Sequence, residues 1–325
     1  MQRWRGLEQL PGDWGRCVVT IGVFDGVHLG HQQLVEHAVQ QARRRGLPCV
    51  LVTFDPHPAE VVRPGSHPAQ LTTLRRRAEL AEQLGVDVFC VLPFTPELAR
   101  MPPDQFAHEI LVERLHAAVV VVGRNFTFGS KAAGTIDVLE DLGTRFGFEV
   151  ESDPLLTGYA RCAPGDGPVT FSSTFIRSCV DAGEVVTARS ALGRHHRLEG
   201  IVVRGAGRGG SELGFPTANL SPPAYSAIPA DGVYACWFTH WRRGEDEGET
   251  FGAAVSVGSN PTFSGTERTV EAYVLDASAD FYGEYVALDF VRRLRPMVRF
   301  GSAEELVERM NRDVVEAREA LRADG

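Results

Sequence analysis

The chain reads as two domains of different class: an α/β domain built on a parallel sheet with flanking helices, then an antiparallel β-barrel closed off by a terminal helix. Three observations predict this. Continuous apolar runs such as Cys49 to Phe54 and Ala118 to Val122 alternate with helical stretches in the first half, as strands buried on both faces do. From about Arg197 onward helical spacing gives way to short β-branched strands with frequent turns. A length of 325 residues favours two cores over one. We place the division at 1–186 and 187–325.

The first strand runs from Val18 through the β-branched and aromatic residues to Phe24, interrupted by Gly22. It leads into a helix from His31 to Arg45, with Leu34, Val35, Ala38 and Ala42 on one face and Gly46 as its C-cap. Cys49 to Phe54 is the second strand. The DPHP string that follows, Asp55 to Pro58, reads equally as a stiff loop or as a ligand edge at a strand's carboxyl end. A helix over Leu74 to Leu84, a strand over Val86 to Leu92, a helix over Asp104 to Leu115 and a strand over Ala118 to Val122 complete the α/β pattern. The last of these strands enters a polar, glycine-rich loop, GRNFTFGSKAAG. Three strand ends thus offer loops to one crevice: residues 22–31, 54–58 and 123–134. In the second half, Gly200 to Arg204, Gly232 to Phe238, Ala253 to Val257, Val270 to Leu275 and Tyr285 to Leu294 read as barrel strands. Ser302 and Glu305 form a capping box that opens a helix with Leu306, Met310, Val314, Ala317 and Leu321 on one face.

Composition narrows the function classes. A net charge of -9 argues against nucleic acid as a partner, since no broad basic footprint exists. The longest apolar run, Ala117 to Val122, is too short to span a bilayer, so no membrane is expected. Six scattered cysteines without a C-x-x-C pair point to a reducing, cytoplasmic compartment. The sequence leaves a homo-oligomer open.

The chemistry concentrates in VVTIGVFDGVHLGH, residues 18–31. A helix start carries unpartnered N–H groups and the positive end of the macrodipole, and His28 and His31 add two imidazoles there. Gly22, Gly26 and Gly30 keep side chains away, which admits a phosphate close to the backbone. Further on, Ser172, Ser173 and Thr174 are N-cap residues with Arg177 three positions after Thr174; they read as a capped helix or, beside the first motif, as a second phosphate grip. Glu271 is the one acid of the apolar strand Thr269 to Leu275, either solvent-facing or functional.

The strings GVFDGVHLGH, FDPHP, GRNFTFG and SSTFIR, with ELGFPTANL, VGSNPTF and VEAYVLD, resemble the bifunctional prokaryotic riboflavin kinase/FMN adenylyltransferase family over nearly the full length. The resemblance implies a Rossmann-like nucleotidyltransferase domain and a riboflavin kinase barrel. It implies ATP as co-substrate, Mg²⁺ as cofactor, and riboflavin, FMN and FAD as substrates and products. In the first module it assigns adenylyl transfer to His28 and His31, and nucleotide binding to Gly22, Phe24, Asp25, Gly26, Gly30, Ser173, Thr174 and Arg177. Flavin contacts fall to Phe54, Pro56, His57, Pro58, Asn125 and Phe128. In the second module it implies Glu271 as general base, Thr217 and Asn219 as Mg²⁺ ligands, Gly207 and Gly209 on the nucleotide, and Asn260 on the flavin. A flavin-binding sensor without chemistry is the rival class, and retention of both histidines and Glu271 argues against it.

Overall fold

The apolar runs of the first half pair side by side in parallel. In the computed structural model, residues 1–11, 14–159, 167–204, 216–242, 247–262, 265–277 and 279–325 are described, with 259–262 and 265–267 as backbone alone. The chain divides into two units, Met1–Pro68 with Thr73–Gly158 and Thr170–Ser172, and Ala69–Thr72 with Tyr159–Val169 and Ser173–Gly325.

The first unit contains strands β1 (Gln2–Arg5), β2 (Cys17–Ile21), β3 (Cys49–Asp55), β4 (Val88–Pro93), β5 (Ala117–Gly123) and β6 (Glu149–Asp153). They form one parallel sheet in the order β1-β4-β3-β2-β5-β6. Its helices are α1 (Leu29–Arg45), α2 (Pro58–Val62), α3 (Leu74–Gln83), α4 (Pro96–Arg100), α5 (Pro103–Phe106) and α6 (Ile136–Phe146), with a π-helical segment over Ala107–Arg114. Successive strand residues serve opposite faces, which explains the unbroken apolar runs. Val18, Leu51 and Val119 pack with Leu34, Val35 and Ala38 of α1 and Ala78 and Ala81 of α3. Val19, Val50 and Val120 pack on the other side with Leu111, Leu139 and Leu142. Cys17 and Cys90 lie in this core, where burial pushes both thiols up to about 12.

Three expectations need correction. The first strand stops at Ile21, because the turn beyond Gly22 puts Phe24 at φ 51°, incompatible with a ladder. The helix at 104–115 is one α-turn followed by the wider π-helix. β1, α6 and β6 are additional elements. β6 carries Glu149, Glu151 and Asp153 because they meet Arg45 (2.6 Å), Gln41 (2.7 Å) and His37 (2.7 Å) of α1.

Two short strands, β7 (Thr157–Gly158) and β8 (Val169–Thr170), precede helices α7 (Ser173–Asp181) and α8 (Val185–Leu192). Both helices group with the second unit, so the compact units part before the change of sequence texture. The barrel has six strands where sequence spacing shows five: β9 (His196–Val203), β10 (Ala218–Ser221), β11 (Gly232–His240), β12 (Glu249–Thr262), β13 (Gly265–Val274) and β14 (Tyr285–Arg295). It closes in the order β10-β13-β12-β11-β14-β9. The extra strand, β10, has only four residues.

Val202, Tyr234, Cys236, Val255, Val270, Ala272 and Phe290 fill the barrel. Phe290 is fully buried with its ring 5.3 Å from that of Tyr234, edge to face. Phe290→Ala is therefore expected to destabilise the second unit by about 3–5 kcal/mol, read as a lower urea midpoint.

Helix α9 (Ala303–Arg322) lays Ala317, Ala320 and Leu321 on Ala235, Ala254 and Val291 outside the barrel. Just past its end, Asp324 sits 3.1 Å from Trp237 Nε1 and 2.8 Å from His195 Nε2, and it pairs with Arg189. Burial works to raise this carboxyl, but the Trp237 and His195 hydrogen bonds, the His195 charge and Arg189 together hold it below its usual range. A depressed folded value gives stability that is complete above the unfolded value of 3.8 and is lost as pH falls through the folded one. Asp324→Asn should accordingly unfold at lower temperature than the parent at neutral pH, with the gap closing on acidification; parallel thermal melts check this.

Candidate active sites

The chain order of the parallel sheet reverses between β2 and β5, and such a switch point opens a crevice at the strands' carboxyl ends. The loop from Gly22 to His28 leaves β2 there. Gly22 N–H still donates to Val52 O (3.0 Å), after which the backbone turns through positive φ at Phe24, Gly26 and Val27. His28 is the N-cap of α1, its Nδ1 accepting from His31 N–H at 3.3 Å. The two imidazoles stack with centroids 3.7 Å apart, and the Phe24 ring meets His31 edge-on at 5.3 Å. A Cβ on Gly30 would come within 3.3 Å of the His28 ring, so glycine is what lets that ring lie across the helix start. The arrangement is a helix N-terminus with two nitrogen heterocycles beside it, suited to an anion.

Not every residue assigned to this site faces the crevice in the same way. Phe24 and Asp25 are 2% and 1% exposed, so their side chains sit under the loop rather than on its open side. Thr53 Oγ1 and Arg77 Nη1 both donate to Val23 O, at 2.9 and 3.2 Å. Sequence reasoning missed Arg77. It is the last of three consecutive arginines, and only burial separates it from Arg75 and Arg76.

At the end of β3, His57 caps α2 by accepting from Ala59 N–H (3.1 Å), with Pro56 before it and Pro58 at the first helical position. Phe54 stands edge-on to Phe94 at 5.4 Å. After β5, Asn125 is exposed, whereas Phe128 is buried between Phe126 and Phe106. Gly134 is required there, since a Cβ would stand 2.6 Å from the Phe128 ring. Ser173, Thr174 and Arg177 lie in the first two turns of α7 in the second unit, and Arg177 Nε donates to Ala69 O (2.6 Å).

In the barrel, Val270 and Ala272 point inward, which turns Glu271 outward. Asn219 and Ser256 are its direct partners on the neighbouring strands and share that outer face. Thr217 Oγ1 reaches Glu271 Oε2 at 3.4 Å. A carboxylate, a hydroxyl and an amide thus converge on one half-exposed patch. These are hard oxygen donors, the ligand type Mg²⁺ takes alongside nucleotide phosphates. Among the described residues no three His, Cys, Asp or Glu side chains gather to hold a metal by themselves. Asn260 pairs in backbone register with Glu267, and its side chain lies outside the described residues, as do Gly207 and Gly209.

The chain matches two family models. Residues 10–160 match the family model for FAD synthetase and residues 192–321 the model for riboflavin kinase. The chain is 33% identical over 313 residues to the bifunctional riboflavin kinase/FMN adenylyltransferase of Escherichia coli K12, covering 96% of this chain and 95% of that one. It is 33% identical to the same enzyme of Haemophilus influenzae, covering 98% of each. Among solved structures, a protein from Streptococcus pneumoniae named as a macrolide-efflux protein superposes with a TM-score of 0.83 at 30% identity, over 98% of this chain and 99% of that one. No described helix of the present chain is long and apolar enough to cross a membrane. Both modules and the near-complete coverage by curated relatives show that the chain belongs to the bifunctional riboflavin kinase/FMN adenylyltransferase family, its parallel-sheet half the FAD synthetase domain and its barrel the riboflavin kinase domain.

Proposed function

We propose that the two activities run at two separate sites, riboflavin phosphorylation on the outer face of β10, β13 and β12, and adenylyl transfer at the loop between β2 and α1. The observation that carries this reading is that each set of polar groups is complete on its own sheet: the stacked His28 and His31 on one, Thr217, Asn219 and Glu271 on the other.

At the barrel, the terminal ribityl hydroxyl attacks the γ-phosphorus of ATP, and ADP departs. The hydroxyl is a weak nucleophile, so Glu271 takes its proton as the new P–O bond forms. Thr217 and Asn219 would hold Mg²⁺, which would neutralise charge on the nucleotide phosphates when bound. The Thr217 hydroxyl hydrogen bond keeps the Glu271 carboxylate oriented. At the parallel sheet, an FMN phosphate oxygen attacks the α-phosphorus of ATP, forming FAD and releasing pyrophosphate. That nucleophile is already an anion and needs no base. The work of the site is to place two polyanions against each other, which the α1 N-terminus and the two imidazoles do by donating to phosphate oxygens. His57 and Asn125 supply polar contacts to the flavin. The enzyme is cytoplasmic, a compartment that the five free, buried cysteines among the described residues suit.

A time course with riboflavin, ATP and Mg²⁺, resolved by chromatography, tests the reading. FMN is expected first and FAD after it, with both absent in excess chelator. A course that stalls at FMN would remove the transferase assignment, and flavin binding without turnover would favour the sensor.

A further inference from the structure

Beneath the loop that carries His28 lies a buried ion pair that joins α3 to the loop's backbone and to one of its side chains. Arg77 is 3% exposed and Asp25 1% exposed, with Arg77 Nη2 3.9 Å from Asp25 Oδ1 and Arg77 Nη1 3.2 Å from Val23 O. The two arginines beside it behave differently. Arg75 and Arg76 both bind Glu79 of α3 itself, at 3.0 Å.

The loop needs such a support. Phe24 and Val27 hold φ values of 51° and 38°, a region unfavourable for any side chain and most of all for a β-branched one. Such a turn persists only where its surroundings over-determine it. Here Val23 O takes two donors, Val27 N–H donates to Phe24 O at 3.1 Å, and Gln32 Nε2 donates to Val27 O at 2.8 Å. Thr53 and Gln32 come from β3 and α1, whose ends the loop already joins or borders. Arg77 alone among these anchors comes from α3, whose Ala78 and Ala81 are packed rigidly on the sheet.

An electrostatic role toward phosphate is a poor account of this arginine. Its side chain is 3% exposed and its charge is offset by Asp25. A buried ion pair also contributes little to stability over an apolar pair of similar volume, so stability is a weak explanation. What the pair does supply is a fixed position for the Val23 carbonyl and the turn after it, and that turn sets where the α1 N–H groups and the His28 ring stand.

We infer that Arg77, with Asp25, is a positioning residue for adenylyl transfer, acting through the backbone of Val23–Val27. The inference rests on the assignment of the triphosphate to the loop between β2 and α1. Positioning acts most strongly on the transition state, so its loss should appear in kcat more than in KM.

The test uses the full chain with Arg77→Met, Arg77→Lys, Asp25→Asn, the Asp25→Asn/Arg77→Met double variant and His28→Ala. It reads FAD formation from FMN, riboflavin phosphorylation and thermal unfolding. Arg77→Met is expected to lower kcat for FAD by about tenfold or more, with a smaller change in KM for ATP, while riboflavin phosphorylation stays within about twofold. Arg77→Lys should recover part of the loss, because an ammonium reaches one of the two acceptors but not both. The double variant should be little worse than the poorer single one, as partners in one network are non-additive. Should Arg77→Met fail to fold, Arg77→Lys and Asp25→Asn carry the same kcat comparison. Folded Arg77→Met with FAD-forming kcat within about twofold of the parent, beside an inactive His28→Ala, overturns this inference alone. Full activity in His28→Ala overturns the site assignment and this inference with it. A loss that merely follows the unfolded fraction, or that falls equally on the kinase, overturns it as well.

Discussion

His28→Ala is expected to lower FAD formation from FMN by about 100- to 1,000-fold and to leave riboflavin phosphorylation by the same chain unchanged. The size follows from what the residue does in two capacities. In the proposed reaction it is a donor beside the α1 N-terminus to charge that grows on the phosphate oxygens, the kind of contact whose removal costs about 2.7–4 kcal/mol in related settings. As the N-cap of α1 it accepts from His31 N–H, and losing a cap costs about 0.5–2 kcal/mol of stability. The two effects separate in His28→Asn. Asparagine is a good cap, so it should restore the thermal midpoint while activity stays low. Recovery of activity along with stability would show that the ring matters only as a cap. The stacked His31, 3.7 Å away, loses its neighbour in either variant, so His31→Ala added to His28→Ala should cost less than the two losses combined. Steady-state assays of both half-reactions on each variant decide these points.

How much of this architecture the sequence discloses depends on how local each signal is. Strands β2, β3 and β5 are buried on both faces, so their apolar runs name them without help from the rest of the fold. β6 does the reverse. Its acids face α1 and are paired there with Arg45, Gln41 and His37, so an edge strand reads as a polar loop until the helix is in place. β10 is too short to show a period, yet it sets the register that puts Asn219 opposite Glu271. The histidine pair was readable because a helix start fixes its geometry within four residues. Arg77 was not, because its partners Val23 and Asp25 lie more than fifty positions away and its neighbours Arg75 and Arg76 are residues of the same type that pair within α3. Phe128, given a flavin contact by the family resemblance, has a packing that its glycine-rich surroundings do not announce: the side chain is buried between Phe106 and Phe126.

The complementary variant acts on the other half-reaction. Glu271→Gln should reduce FMN formation from riboflavin by about 100- to 10,000-fold, the range a positioned general base contributes. FAD formation from supplied FMN should be unaffected. Glutamine preserves the volume, the outward direction set by Val270 and Ala272, and an oxygen able to accept from the Thr217 hydroxyl. It removes only the ability to take a proton. Little change in unfolding temperature is therefore expected, because the side chain lies on the half-exposed outer face and not in the barrel core. Thr217→Ala supplies the contrast. It keeps the base but releases its orientation and one oxygen donor, so it should raise the Mg²⁺ concentration needed for half-maximal rate, which Glu271→Gln should not. The pair of titrations separates a base from a metal ligand. If Glu271→Gln shifted the Mg²⁺ requirement and full rate returned at high Mg²⁺, the carboxylate would be a ligand and the hydroxyl proton would leave by another route. If rate stayed low at saturating Mg²⁺, the loss would lie in proton transfer, the role proposed for Glu271 beside Thr217 and Asn219.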